Sequence, residues 1–87
     1  MIDTIEHGEI LELRLNRPPV NALSPELLAA IAERVRSAPA QGVRAVILSG
    51  REGMFSGGLD VPHLLTLDRP ALAHALEVFF STIETYP

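Results

Sequence analysis

The sequence contains no cysteine and no lysine. Without cysteine there are no disulfides and no thiolate metal sites. The three histidines, His7, His63 and His74, are scattered without ligand spacing, so no metal is expected. Without lysine there is no Gly-x-x-x-x-Gly-Lys-Ser/Thr phosphate loop. All seven basic residues are arginines and the net charge is −4, which argues against a nucleic-acid binder because that function needs a basic face. No apolar run approaches the roughly 20 residues of a membrane helix. No basic stretch followed by an apolar core opens the chain, so no secretory leader is evident and a cytoplasmic location is expected.

What is present is ordinary for a globular protein: 47% hydrophobic and 21% charged residues in an 87-residue chain. A domain this small leaves much apolar surface near solvent. With disulfides and metals set aside, a partner or further chain is the expected support.

Leu11, Leu13 and Leu15 alternate with Glu12 and Arg14, the period of a half-buried strand over residues 10–15. A weaker strand covers residues 3–7, and Gly8-Glu9 between them reads as a hairpin turn. Asn16-Arg17-Pro18-Pro19 ends the sheet signal. Ser24-Pro25-Glu26 opens a helix, with Ser24 as cap, proline at the first position and an acid at the positive dipole end. Leu27, Leu28, Ile31 and Val35 form its apolar stripe, and Pro39 and Gly42 close it. Residues 43–49 form a short apolar run that predicts a strand buried on both faces. Gly50 to Asp60 is a loop with four glycines. Asp60 is the candidate cap of a second helix. Asp68-Arg69-Pro70 starts a third, with Leu72, Leu76, Phe79, Phe80 and Ile83 as its stripe. The expected core joins Leu11, Leu13, Leu15, Val46, Ile47 and Leu48 to Leu27, Leu28 and Ile31.

A strand, a glycine-rich loop and a helix in succession expose backbone N–H groups. Such a place suits a phosphate, or an oxygen that becomes negative during reaction. The spacing of Gly50, Gly53, Gly57 and Gly58 does not give the Gly-x-Gly-x-x-Gly dinucleotide fingerprint. A structural turn without chemistry remains the competing reading.

Three segments resemble one family, the enoyl-CoA hydratases and isomerases (crotonases), in order and in spacing. Asn16-Arg17-Pro18 with Asn21-Ala22-Leu23-Ser24 resembles its "LNRP…NAL" segment. Val43 to Gly50 resembles its "VRAVVLTG" strand, and Phe55 to Asp60 its "FSAGADL" loop. The resemblance implies an α/β fold, a crotonase-like spiral of ββα units that is incomplete in this chain, with residues 1–87 as the N-terminal part of a single, truncated domain. It implies binding of acyl-CoA or enoyl-CoA thioesters and stabilisation of a thioester enolate by two backbone N–H groups. One of these would be the N–H of Leu59. A fixed donor aimed at developing charge in a dry site contributes about 3–4 kcal/mol.

Ser56, Gly57, Gly58 and Asp60 would shape the loop and line the substrate site. Arg17, Asn21, Ala22 and Leu23 match the segment near the CoA moiety and are assigned to CoA binding. Against that stands a solvated Arg17 and a Leu23 that packs on the helix. Coenzyme A is part of the substrate, so no separate cofactor is expected. The family's second donor and its usual catalytic glutamates come from downstream sequence. Glu52, Glu77 and Glu84 do not match those glutamates and read as exposed. His63 is the one base near the loop, and a structural role in its helix's first turn is the competing reading. Ser56 does not sit in Gly-x-Ser-x-Gly, so no serine nucleophile is indicated. The family also implies a homo-oligomer, a trimer or dimer of trimers. The alternative to an enzyme is an inactive family fragment that acts as an interaction or oligomerisation module.

Overall fold

The computed structural model describes residues 1–86. Strand β1 (Ile2–His7) and strand β2 (Ile10–Leu15) form an antiparallel hairpin, with Ile2 opposite Leu15 and His7 opposite Ile10. Gly8 makes the turn at φ 66°, a conformation that costs glycine little. Helix α1 (Pro25–Ser37) follows, then a 3-10 turn over Pro39–Gln41, and then strand β3 (Ala45–Ser49). β3 pairs parallel with β2, Leu11 opposite Val46 and Leu13 opposite Leu48. A parallel neighbour needs a long crossover, and α1 supplies it. A short helix α2 (Val61–Leu64) and a longer α3 (Arg69–Glu84) complete the order.

The helix starts lie where the sequence places them. Ser24 Oγ accepts the Leu27 N–H at 3.2 Å, and Pro25 occupies the first turn. Asp60 and Asp68 cap α2 and α3 through the N–H groups of His63 and Ala71. Gly42 takes the left-handed conformation at φ 81° that ends the 3-10 turn.

Helices cover one face of the sheet. On that face Leu11, Leu13 and Leu15 are buried against Leu27, Leu28, Ile31 and Val35 of α1, with Leu64 and Phe79 completing the cluster. Leu13 has no exposed surface, and burying such a side chain contributes about 2 kcal/mol. Tyr86 closes one end by donating its hydroxyl to the Val43 carbonyl at 3.3 Å.

Two core expectations are corrected. β3 is not buried on both faces. Val46 and Leu48 pack against the core, but Ile47 is 46% exposed. It stands opposite Glu12 on the face no helix covers, and β3 has a strand neighbour on one side only. In α3, Phe79 is buried and Leu72 and Leu76 pack partly on the core, while Phe80 and Ile83 are exposed. Phe80 follows Phe79 by one residue, about 100° around the helix, so both cannot face α1. The two rings meet edge-on at 5.3 Å instead.

Candidate active site

The segments that carry the sequence motifs lie side by side. The chain leaving β2 (residues 16–24) runs along the loop leaving β3 (residues 50–60), and main-chain bonds join them. Gly57 N–H donates to the Val20 carbonyl at 2.7 Å, Leu23 N–H to Gly58 at 2.8 Å, and Asp60 N–H to Leu23 at 3.0 Å. Leu23 and Leu59 form a parallel bridge. Two polar side chains reinforce the seam. Asn21, 3% exposed, donates from Nδ2 to the Phe55 carbonyl at 3.0 Å and accepts the Arg17 N–H at Oδ1 at 2.7 Å. Its φ of 52° is one asparagine tolerates better than most residues. Ser56 Oγ donates to the Asn21 carbonyl at 2.7 Å and accepts the Gly58 N–H at 3.0 Å.

The glycines serve close approach. A Cβ on Gly50 would lie 2.4 Å from the Met54 carbonyl oxygen and 2.6 Å from Phe55 Cα, inside backbone contact distance. A Cβ on Gly57 would press on the Val20 side chain at 3.1 Å, and Gly58 sits at φ +99°.

Among the described residues, this seam leaves the Leu59 N–H without a partner, as it does those of Val20, Ala22, Phe55 and Ser56. In a parallel bridge, a residue held through its neighbours' C=O and N–H turns its own polar groups to the opposite side. The Leu59 carbonyl there accepts the Val61 N–H at 3.0 Å. The Leu59 N–H has no hydrogen-bond partner among the described residues, and Leu59 is 48% exposed. What sets Leu59 apart is the bridge, which fixes the direction of its unpaired N–H and leaves it available for a ligand. The two segments expose the apolar side chains of Val20 and Phe55, and Val61 and Leu65 are exposed in and just after α2.

Arg17 is not a solvated turn residue. Its Nη1 donates to the Ala22 carbonyl at 2.7 Å and its Nη2 pairs with Asp60 Oδ2 at 2.8 Å. Asp60 Oδ2 also lies 2.7 Å from His63 Nδ1. A carboxylate only accepts, so Nδ1 carries the proton. Desolvation raises the Asp60 pKa, but the Arg17 hydrogen bond and those from the His63 backbone and ring outweigh it, and the carboxyl sits below its ordinary value.

The sequence-predicted residues Arg17, Asn21, Ala22, Leu23, Ser56, Gly57, Gly58, Leu59 and Asp60 are thus brought together. Glu52 lies in the 50–60 loop but is exposed and makes none of these contacts, and Glu77 and Glu84 are exposed on α3. Among the described residues, no three His, Asp or Glu side chains are grouped to hold a metal.

A second polar cluster, on the open face of the sheet, went unseen in the sequence. Glu12 accepts from Ser49 Oγ at 2.6 Å, contacts His7 Nε2 at 2.8 Å and pairs with Arg14 at 3.0 Å. The hydrogen bonds from Ser49, His7 and Arg14, in that order, hold its pKa at about 2. The partners come from three strands, and only the pairing register brings them together. No helix among the described residues is long and apolar enough to cross a membrane.

Comparison with known proteins gives the chain a family and a fold. The family profile described as enoyl-CoA hydratase/isomerase matches residues 5–81. The human peroxisomal bifunctional enzyme is 39% identical over 56 residues, covering 63% of this chain and 8% of that enzyme. The Arabidopsis thaliana peroxisomal fatty acid beta-oxidation multifunctional protein AIM1 is 34% identical over 61 residues, covering 67% of this chain and 8% of that protein. Among solved structures, an enoyl-CoA hydratase/isomerase from Pseudoalteromonas atlantica superposes with a TM-score of 0.77 at 28% identity, covering 98% of this chain and 34% of that one. Pseudomonas aeruginosa DspI gives 0.83 at 18% identity, covering 98% and 37%, a likeness of fold. The α/β architecture is therefore crotonase-like, and the chain spans about a third of the length of these structures.

Proposed function

The chain belongs to the enoyl-CoA hydratase/isomerase family, and from that premise we propose that it binds an acyl-CoA or enoyl-CoA thioester and supplies one donor of an oxyanion hole. The observation that carries the reading is the Leu59 N–H, without a hydrogen-bond partner among the described residues, on a half-exposed residue held in the Leu23–Leu59 bridge. As a thioester is converted to its enolate, negative charge gathers on the carbonyl oxygen. A donor fixed beforehand stabilises that charge without reorganising. The exposed Val20, Phe55, Val61 and Leu65 side chains offer apolar surface for the acyl chain beside it. No separate cofactor enters the proposal.

One donor does not make the reaction. Hydration or isomerisation also needs a second donor and a positioned acid or base. Asp60 is engaged by Arg17 and His63, and Glu52, Glu77 and Glu84 are exposed and make none of the seam's contacts. We therefore expect the 87 residues alone not to hydrate a short enoyl-CoA. The test is titration with acetyl-CoA, followed by amide shifts. A response centred on Leu59 supports the reading, and no binding at millimolar ligand overturns it. A hydration assay on the same sample is expected to show no turnover above background.

A second reading, an inactive interaction or oligomerisation module, is favoured by the exposed Ile47, Phe80 and Ile83, which lie away from the seam. Self-association that leaves Leu59 silent to acetyl-CoA would favour it. A trimer or dimer of trimers in the cytoplasm is our expectation for an active assembly.

A further inference from the structure

Arg17 has two partners, and each lies one residue from the Leu23–Leu59 bridge: Ala22 precedes Leu23, and Asp60 follows Leu59. The peptide unit is planar and trans, so its C=O and N–H point in opposite directions. The unit joining Ala22 to Leu23 has its oxygen held by Arg17 Nη1 at 2.7 Å and, less closely, by the Ser24 N–H at 3.1 Å, which aims the Leu23 N–H the other way, at the Gly58 carbonyl 2.8 Å off. The unit joining Gly58 to Leu59 has its oxygen held by that bond, which aims the Leu59 N–H away from the seam. Two peptide planes in series thus connect a guanidinium to the free donor. Asp60 keeps the guanidinium in place with its side chain, and its own N–H donates to the Leu23 carbonyl at 3.0 Å.

We propose that Arg17, held by Asp60, is a positioning residue that orients and polarises the Leu59 N–H through the Ala22–Leu23 and Gly58–Leu59 peptides, and that it is not a ligand of the CoA phosphates. The inference rests on the reading of Leu59 as the oxyanion donor. Hydrogen bonds in a chain strengthen one another, so a cation at one end makes the terminal N–H a better donor. A guanidinium paired with a carboxylate belongs to a net-neutral pair, which attracts phosphate less than a free guanidinium does. Lysine could not replace it, because one ammonium on a flexible stem does not present a rigid fork to both partners.

The test compares the wild-type chain with Arg17→Gln, Arg17→Lys and Asp60→Asn, with the amides of Leu13 and Ile31 as a check that the core is folded. Without ligand, Arg17→Gln and Asp60→Asn should each move the Leu23 and Leu59 amide resonances, and Arg17→Lys should move them less than Arg17→Gln. Unmoved Leu59 resonances in the folded variants overturn the proposal, whatever the chain binds. With acetyl-CoA labelled with 13C at the thioester carbonyl, Arg17→Gln should reduce the bound carbonyl's downfield shift and weaken binding about tenfold. Free CoA, which lacks the thioester, should bind both proteins alike.

Asp60→Asn separates the roles by sign. It should weaken acetyl-CoA binding if Arg17 positions Leu59, and strengthen both acetyl-CoA and free CoA binding if Arg17 is a phosphate ligand; the second result overturns the proposal. If the wild type binds no thioester, the functional reading falls, while the ligand-free amide shifts still decide the relay.

Discussion

The sheet with α1 and the seam beside it are held by different forces. Between β2 and α1 the contacts are those of Leu11, Leu13, Leu15, Leu27, Leu28 and Ile31, whose attraction is proportional to buried area and indifferent to direction. Between residues 16–24 and 50–60 they are main-chain hydrogen bonds, one buried asparagine, one serine, an arginine (Arg51) on the Pro19 carbonyl and one ion pair. Hydrogen bonds weaken steeply when misaligned. The first region supplies stability and the second supplies a direction, that of the Leu59 N–H. A substitution in the core should therefore change how much protein is folded, and one in the seam how well the folded protein presents Leu59.

The largest effect tests the first half of that contrast. Leu13→Ala removes a side chain with no exposed surface and is expected to cost about 3–5 kcal/mol in urea denaturation. A loss of that size is a large share of a small domain's stability. A cost below about 1 kcal/mol would mean that the sheet face is not the main source of cohesion.

Gly50→Ala should come next. Its Cβ would meet backbone atoms of Met54 and Phe55 that cannot swing aside, so a cost of about 1–3 kcal/mol is expected. Asn21→Ala strands the Phe55 carbonyl and the Arg17 N–H together, at about 1–2 kcal/mol. The sharper readout is local. Amide exchange in residues 55–60 should rise more than exchange in β2. Uniform acceleration across the chain would merge the two regions into one cooperative unit and break the comparison.

The two regions were unequally legible in the sequence. The strand and helix of the core could be read because period-2 and period-3.6 patterns are what burial on one face writes into a chain; Leu11, Leu13, Leu15 and the Leu27-to-Val35 stripe are buried as expected. The caps at Ser24, Asp60 and Asp68 were legible because capping is local chemistry. The site residues could be named from motif resemblance, but their mutual bonds could not. The Arg17–Asp60 pair spans residues far apart in sequence, and Asn21 gives no periodic sign that it is buried. The Val43-to-Ser49 run misled for the opposite reason. Apolar residues on both faces of a strand report two covering layers, and the described residues supply one.

The Glu12 cluster brings pH into the comparison. Its carboxyl is held at about 2, below its ordinary value of 4.5, by Ser49, His7 and Arg14. A depressed folded-state pKa means that the cluster's contribution is fully present above the ordinary value and is lost as pH falls from there through about 2. Glu12→Gln is expected to flatten the stability profile in that acidic window and to leave the Leu59 amide unmoved, because the cluster lies on the open face. Denaturant midpoints between neutral and acidic pH check the first outcome, and a Leu59 shift in the variant would contradict the second.

The smallest expected effect decides whether that open face is open. Ile47 stands opposite Glu12 and is 46% exposed. Ile47→Thr keeps a β-branched side chain, so the strand's conformational preference is little altered. What it removes is apolar surface, and the cost of that depends on whether something covers it. With only water on that face, the change should stay within about 0.5 kcal/mol in denaturation at low protein concentration. A concentration-dependent loss would identify a partner copy on Ile47, because stability linked to association follows mass action. A concentration-independent loss near that of Leu13→Ala would instead restore the two-faced burial that the apolar run of β3 implies, and the distinction drawn between the sheet's two faces would have to be withdrawn.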